Sequence, residues 1–323
     1  MTAIIETKPQ RRIGLLLLPG FQVMCFSALS VFEVANKKAG KALYDLHVLS
    51  EKGGQVASSF GMEVSTEPMA ARDFDTLLIG VGMEIPSASR AIIAYLKESA
   101  RTTRRLGSIC LGSFVLGEAG LLQKRRSTTH WRFAQEFQRR FPETRVEVDR
   151  IFIADGPIWT SAGMSAGIDL ALSLVENDHG RDLAKKTARG LVIHHRRAGG
   201  QSQHSALLEL DAKSDRVQTA LAYAKRNLRS CLGIEELAAV ACLSPRQFTR
   251  VFRAETGISP SKAVEALRIE AARQLLEQSR LSLEEIATET GFGARERMRR
   301  AFVRTCGEAP QAIRSDAGPI ASI

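Results

Sequence analysis

A stretch near the C-terminal end repeats itself, and that repeat restricts the fold more than any other feature of the chain. Ile234-Glu235-Glu236-Leu237-Ala238 returns as Leu283-Glu284-Glu285-Ile286-Ala287 at an offset of 49 residues. Phe252, Gly257 and Pro260 return as Phe302, Gly307 and Pro310 at an offset of 50, so one residue is inserted near the second turn. Each copy reads as a short helix, a tight turn, a second helix and a Gly-x-x-Pro stop signal. The region 216–315 shows no strand signal, and it is expected to be an all-helical domain of two helix-turn-helix units.

The second helix of each copy carries the chemistry. In the first, Ser244 is the N-cap and Pro245 takes the first helical position, where a missing N–H costs nothing. Phe248, Val251 and Phe252 fall at i, i+3 and i+4 and form the apolar face. At about 100° per residue, Arg246, Thr249, Arg250 and Arg253 lie opposite, with Gln247 beside them. Arginine pairs bidentately with guanine and glutamine with adenine, and residues near the helix start are best placed to reach base edges. Arg246, Gln247 and Arg250 are the expected base readers. In the second copy Gly291 is the turn residue, Phe292 plugs the core, and Met298, Ala301 and Phe302 face inward. Glu296, Arg299 and Arg300 face outward, with Arg297 alongside. A carboxylate accepts from cytosine but repels phosphate, so this copy is expected to grip backbone mainly through Arg297 and Arg300. The helix after Ser259-Pro260 would hold both units about one DNA turn apart, with Val264, Leu267, Ala271 and Leu275 as its core face.

Charge agrees with that reading. The net charge is +10, and residues 216–315 hold 17 basic against 11 acidic side chains, a density several-fold above the rest. A basic domain attracts double-stranded DNA through counterion release.

The first two-thirds of the chain alternate strand and helix signals. Ile13–Leu18, Tyr44–Leu49, Thr76–Val81 and Leu106–Cys110 are short apolar runs; Ala28–Ala39, Ile92–Arg104, Ala166–Glu176 and Leu183–His194 are helical. Val146–Ile153 and Ile158–Thr160 read as a hairpin around Asp155-Gly156. Near-continuous apolar strands between helices imply a mostly parallel sheet covered on both faces, an α/β domain over 11–195. The polar, glycine-containing stretch 196–215 is the expected linker. No apolar run approaches the roughly 20 residues of a membrane span, and no signal peptide is visible, so a cytoplasmic protein without membrane contact is expected. Five widely spaced cysteines exclude a zinc motif or disulfide framework; Cys231, Cys242 and Cys306 read as small buried hydrophobes.

Cys110 stands apart. Leu106-Gly107-Ser108-Ile109-Cys110-Leu111-Gly112-Ser113 reads as strand, cysteine, glycine turn and helix, which places a side chain on a strand-to-helix elbow. Two readings follow: an exposed thiol with lowered pKa, or a buried cysteine at the end of a core strand.

Taken together, these motifs resemble known families. Ser244 through Phe252, and Gly291-Phe292 through Phe302 with Gly307-Glu308-Ala309-Pro310, resemble the AraC-type DNA-binding domain; Met298 stands where that family usually has an aromatic residue. The Cys110 elbow, Glu118 through Leu122, Thr128-Thr129-His130-Trp131, Thr160 through Gly163 and Gly199 through Gln203 resemble the PfpI/glutamine-amidotransferase-like domain of GlxA-type regulators. The resemblance spans residues 11–315 and implies a flavodoxin-like sheet, a homodimer, and a transcription regulator answering a small effector. Activation through RNA polymerase is the family tendency, and arginine, carnitine or glycine betaine are the nitrogenous effectors it suggests. Enzymes of the superfamily pair the elbow cysteine with a histidine, here His130, and an acid from the first strand–helix loop. That loop, 19–28, holds no carboxylate and has Cys25 in its place. A non-catalytic pocket without a cofactor is therefore expected, lined by Cys25, Gly80, Gly82, Cys110, Leu111 and His130. His130 as a helix-capping residue, and a cysteine-dependent hydrolase or glyoxalase-like enzyme with a DNA-binding tail, are the alternatives.

Overall fold

The computed structural model describes residues 10–69, 73–193, 214–306 and 309–312, with 197, 199, 203, 210 and 212 between. The chain separates into two compact units, Met1–Gly199 and Gly200–Ile323. The expected linker, 196–215, lies mostly outside the described residues, as do His194 and Gly307. Among the described residues no helix is long and apolar enough to cross a membrane.

The first unit runs β1 (Arg11–Leu17), α1 (Phe26–Ala39), β2 (Tyr44–Ser50), β3 (Gly54–Ala57), β4 (Glu63–Pro68), β5 (Thr76–Gly80), α2 (Arg90–Thr102) and β6 (Arg105–Ile109). It continues with α3 (Gly112–Glu118), β7 (Arg126–Ser127), α4 (Ala134–Arg140), β8 (Arg145–Val146), β9 (Phe152–Asp155), β10 (Ile158–Ser161), α5 (Met164–His179) and α6 (Arg181–Gly190). Eight strands form one sheet in the order β3-β4-β2-β1-β5-β6-β10-β9. The central strands β2, β1, β5, β6 and β10 are parallel, and an antiparallel hairpin closes each edge. Taken alone, those five have the strand order 2-1-3-4-5 of a flavodoxin-like sheet. Helices α1, α5 and α6 pack together on one side, while α2 and α3 associate with β5 and β6. Cover on both faces explains the unbroken apolar runs: Leu15, Leu16 and Leu17 are successive residues and all fully buried.

Two sequence expectations need correction. Val146 belongs to the separate short strand β8, and the hairpin arms are β9 and β10 alone. Strands β3 and β4 gave no signal because they are short and polar, with one buried position between them, Val56. The sequence also hid the charge cluster at the amino ends of the strands. The side chain of Asp178, at the end of α5, is wholly buried and bound by Arg104 at 2.7 Å and Arg105 at 2.6 Å. Tyr44 donates its hydroxyl to the same carboxylate at 3.1 Å.

The second unit is helical: α7 (Asp215–Arg226), α8 (Ile234–Val240), α9 (Pro245–Thr256), α10 (Pro260–Gln278), α11 (Leu283–Glu289) and α12 (Arg295–Cys306). Its two copies have separate cores, and α10 serves both. Ala263, Val264 and Leu267 enter the first with Phe248 and Phe252; Ile269, Ala272 and Leu276 enter the second with Ile286, Met298 and Phe302. At about 100° per residue those triplets point to nearly opposite sides of one helix. The single face expected through Ala271 and Leu275 is thus half right, since both are only partly buried and the second core takes other residues. Cysteine placement is a further correction: Cys231 and Cys242 are exposed and Cys306 is half-buried. Cys242 sits in the turn of the first copy with φ +53°, outside the core the sequence had assigned it.

Candidate nucleic-acid interface and sensing site

Each helix pair in the second unit is fixed by caps and turns. In α9, Ser244 accepts from the Gln247 N–H, and the Gln247 carbonyl oxygen accepts in return from the Ser244 N–H at 3.2 Å. Ser282 and Glu285 make the same reciprocal box at α11. The second turn uses Gly291 at φ +75°, and nothing larger fits there. A Cβ at that position would stand 1.8 Å from the Leu228 carbonyl oxygen and 2.9 Å from Arg268 Nε. Arg268 in turn donates to the Ser230 carbonyl at 2.7 Å, so α10 braces the turn of one copy against the loop preceding the other.

The outward residues of α9 divide into two groups. Gln247 has its carbonyl oxygen committed to the cap, and the Thr249 hydroxyl donates to the Pro245 carbonyl at 2.8 Å. Adenine recognition by glutamine needs both ends of the amide, so Gln247 as placed is a capping residue. Arg246, Arg250 and Arg253 are exposed, and with Thr249 and Ala254 they line one shallow concavity. Among the described residues no carboxylate or hydrogen bond holds any of the three. On α12, Arg297 and Arg300 are likewise exposed and without ion pairs. Arg299 differs, donating from Nε and Nη2 to both oxygens of Glu296 at 2.9 Å each.

In the first unit the elbow is present. β6 ends at Ile109, Cys110 takes φ +54°, and α3 begins at Gly112. That backbone conformation is costly for a side-chain-bearing residue and persists only where the surroundings impose it. The residue, however, is only 5% exposed, and burial pushes its thiol up to about 11; only the Leu111 N–H pulls the other way. The structure thus favours the buried cysteine over the exposed thiol. Cys25 ends a short 3₁₀ turn after β1 and is fully buried, with Sγ 3.6 Å from the Val81 carbonyl oxygen and 3.8 Å from Met164 Sδ. Burial pushes its thiol up to about 12, and it lies near enough to Cys110 for the two to repel when ionised.

Gly80 makes room for this arrangement, since a Cβ there would meet Cys25 Sγ at 3.1 Å, and Gly82 packs on the Gly20 carbonyl. Leu111 is wholly buried at the start of α3. His130 caps the 3₁₀ turn Trp131–Phe133, its Nδ1 accepting from the Arg132 N–H at 3.3 Å, and its ring stacks on Trp131. It also lies 4.0 Å from where a Gly163 side chain would begin, at the start of α5. Cys25, Gly80 and Cys110 thus come together at the carboxyl ends of β1, β5 and β6, with Met164 against Cys25. Sequence reasoning missed Met164, although it directly follows the Thr160-Ser161-Ala162-Gly163 motif. No carboxylate stands in the Phe21–Cys25 segment; Gln22 occupies its start, accepting from the Met24 N–H.

Comparison with known proteins agrees with both units. Residues 11–177 match the DJ-1/PfpI family, and residues 237–316 match a helix-turn-helix domain. The chain is 34% identical over 295 residues to the HTH-type transcriptional regulator GbdR of Pseudomonas aeruginosa, covering 88% of this chain and 80% of that one. It is 30% identical over 325 residues to the HTH-type transcriptional regulator GlxA of Rhizobium meliloti, covering 98% and 100%. The solved structure of an AraC family transcriptional regulator from Pseudomonas putida superposes with a TM-score of 0.52 at 25% identity, covering 56% of this chain and 99% of that one.

Proposed function

Since the chain belongs to the AraC-type helix-turn-helix regulators that carry an N-terminal DJ-1/PfpI domain, we propose that this DNA-binding regulator reads a specific operator through Arg246, Arg250 and Arg253 of α9 and through Arg297 and Arg300 of α12. The observation that carries the reading is that, among the described residues, these five guanidinium groups have no carboxylate partner, although two of them stand on a helix whose neighbouring Arg299 does have one. An arginine already holding a carboxylate has fewer donors and less net charge to offer phosphate or guanine; these keep all of theirs.

Control is assigned to the first unit. A small effector, nitrogenous if the family resemblance holds, would bind at the carboxyl ends of β1, β5 and β6 beside Cys25, Cys110, Gly80, Gly82 and His130. Ligands of open α/β sheets enter there. Neutral, buried thiols and a loop without a carboxylate fit a binding role better than hydrolysis. The functional form would be a homodimer in the cytoplasm that meets RNA polymerase when it activates.

Nuclease protection of the DNA upstream of its own gene tests the reading. Wild-type protein should protect a discrete stretch, and Arg250→Ala should weaken that binding by about 1–3 kcal/mol while relaxing base choice at one position. Equal affinity of Arg250→Ala would reject the assigned face, and no discrete protection by wild type would reject sequence-specific binding altogether.

A further inference from the structure

The two recognition helices superimpose in sequence at an offset of 50 residues, which makes their outward faces comparable position by position. Met298 answers to Phe248 and Phe302 to Phe252, both pairs buried in their cores. Arg300 answers to Arg250. At the position nearest the helix start, however, Glu296 replaces Arg246, and Arg299 replaces Thr249. The charge at the best-placed base-reading position is therefore reversed between the units. Glu296 and Arg299 also form a closed bidentate pair, with side chains 60% and 44% exposed and, among the described residues, no other hydrogen-bond partner.

A donor and acceptor count shows what such a pair can still bind. Each Glu296 oxygen accepts one bond from Arg299 and keeps a second acceptor site, while Arg299 keeps both N–H groups of Nη1 and one of Nη2. Acceptor and donor sit side by side in one bidentate pair. A C·G base pair offers the complement on its major-groove edge: the cytosine N4 amino group donates, and guanine O6 and N7 accept. Adenine also offers a donor, N6, but its N7 acceptor lies beside it and repels the second carboxylate oxygen, whereas the cytosine edge carries no acceptor; guanine, thymine and the phosphates present acceptors only. Arg299 cannot relieve that repulsion without leaving its partner.

We propose that the Glu296–Arg299 pair makes the second helix-turn-helix unit a discriminator that works by exclusion, tolerating a C·G pair beneath it and penalising other bases, while the unpaired arginines of the first unit supply affinity. The inference rests on the DNA-binding reading above and adds to it a base preference and a division of labour. The pair is held charged: the hydrogen bonds from Arg299 keep the Glu296 carboxyl below its usual range.

Selection of bound duplexes from a random-sequence DNA pool, with full-length wild type, Glu296→Gln and Glu296→Ala in parallel, is the test. The wild-type pool should show a cytosine column beside the positions set by the second unit. Glutamine presents a donor and an acceptor to adenine, so Glu296→Gln should move that column from cytosine to adenine. Glu296→Ala should erase the column, leave the columns set by Arg246 and Arg250 intact, and bind random duplex about tenfold more tightly. Its plot of log affinity against log salt should steepen by about 1 as Arg299 becomes free to neutralise a phosphate.

An acid in the first helical turn also favours the helix dipole. If both variants melt at lower temperature yet keep the wild-type cytosine column and salt slope, Glu296 is only a helix-stabilising residue and the inference is overturned. If wild type selects no sequence at all, it is the DNA-binding reading that fails.

Discussion

Replacing Gly291 by alanine should unfold the second unit selectively, and the structure sets the size of the effect. Two costs combine. The residue takes φ +75°, and left-handed backbone costs a residue with a Cβ about 1–2 kcal/mol. The added methyl would also start 1.8 Å from the Leu228 carbonyl oxygen, which belongs to backbone and cannot rotate away. Forcing a close-packed site apart costs about 1–3 kcal/mol more. The total, about 2–5 kcal/mol, is a large part of the roughly 5–15 kcal/mol that holds a domain together. Gly293 is the internal control, because it has φ +74° and nothing within 4 Å of a built Cβ. Gly293→Ala should cost only the backbone part, about 1–2 kcal/mol. Urea unfolding of the full chain reads both. The two tryptophans, Trp131 and Trp159, lie in the first unit. Fluorescence therefore follows that unit, and far-ultraviolet circular dichroism adds the helices of the second. Gly291→Ala should move the dichroism transition to lower urea and leave the tryptophan transition in place. Equal losses for the two variants would show that Leu228 yields freely and that the argument from close approach is wrong.

Two more perturbations probe the first unit. Alkylation with iodoacetamide at mildly alkaline pH should label exposed Cys231 and Cys242 first and spare Cys25 and Cys110, whose thiols burial has pushed up to about 12 and about 11; peptide mapping that finds Cys110 labelled first would restore a reactive elbow. Asp178→Asn should cost about 3–5 kcal/mol, because it leaves Arg105 buried without its carboxylate. Burial alone would raise the Asp178 pKa, but the hydrogen bonds from Arg105 and Arg104 outweigh it and hold the group low. A depressed carboxyl stabilises the fold above its unfolded pKa, about 3.9, and loses that contribution as pH falls through the folded value. Acid titration of Trp159 fluorescence, whose ring lies 5.8 Å from the Arg105 guanidinium, should therefore show a shallower acid dependence in Asp178→Asn; an unchanged profile would remove Asp178 from the acid transition.

How much of this was legible in the sequence depends on whether a signal is local. The caps at Ser244 and Ser282, the turn at Gly291 and the buried Phe248, Phe252 and Phe302 all read directly, because each is a short-range pattern with one physical solution. The parallel sheet read for the same reason, apolar runs of strand length alternating with helices. What escaped was non-local. The core face of α10 was misplaced beyond Leu267 because one helix serves two cores, and a single period cannot describe two directions. The Asp178 cluster joins residues from Arg11 to Asp178 that no spacing connects. The state of Cys110 was left open because an elbow motif specifies backbone geometry, whereas thiol pKa depends on what covers it.

The arginines carry this distinction furthest. Composition counts them equally, and on count alone the first unit also looks cationic. Yet Arg104 and Arg105 are occupied by Asp75 and Asp178, and Arg126 by Glu147. Those guanidinium groups hold the fold and have little left to offer a phosphate. Arg246, Arg250 and Arg253 lie on an exposed helix face where, among the described residues, no carboxylate holds them, and the same side chain is then free for the external polyanion proposed above. Glu296 shows the converse, because one carboxylate converts Arg299 from a free cation into half of a bidentate ion pair. What an arginine can offer DNA follows from pairing rather than from charge, and pairing is a property of three-dimensional neighbours. A variant that adds an acid beside Arg250 should therefore damage DNA recognition as surely as one that removes the arginine itself.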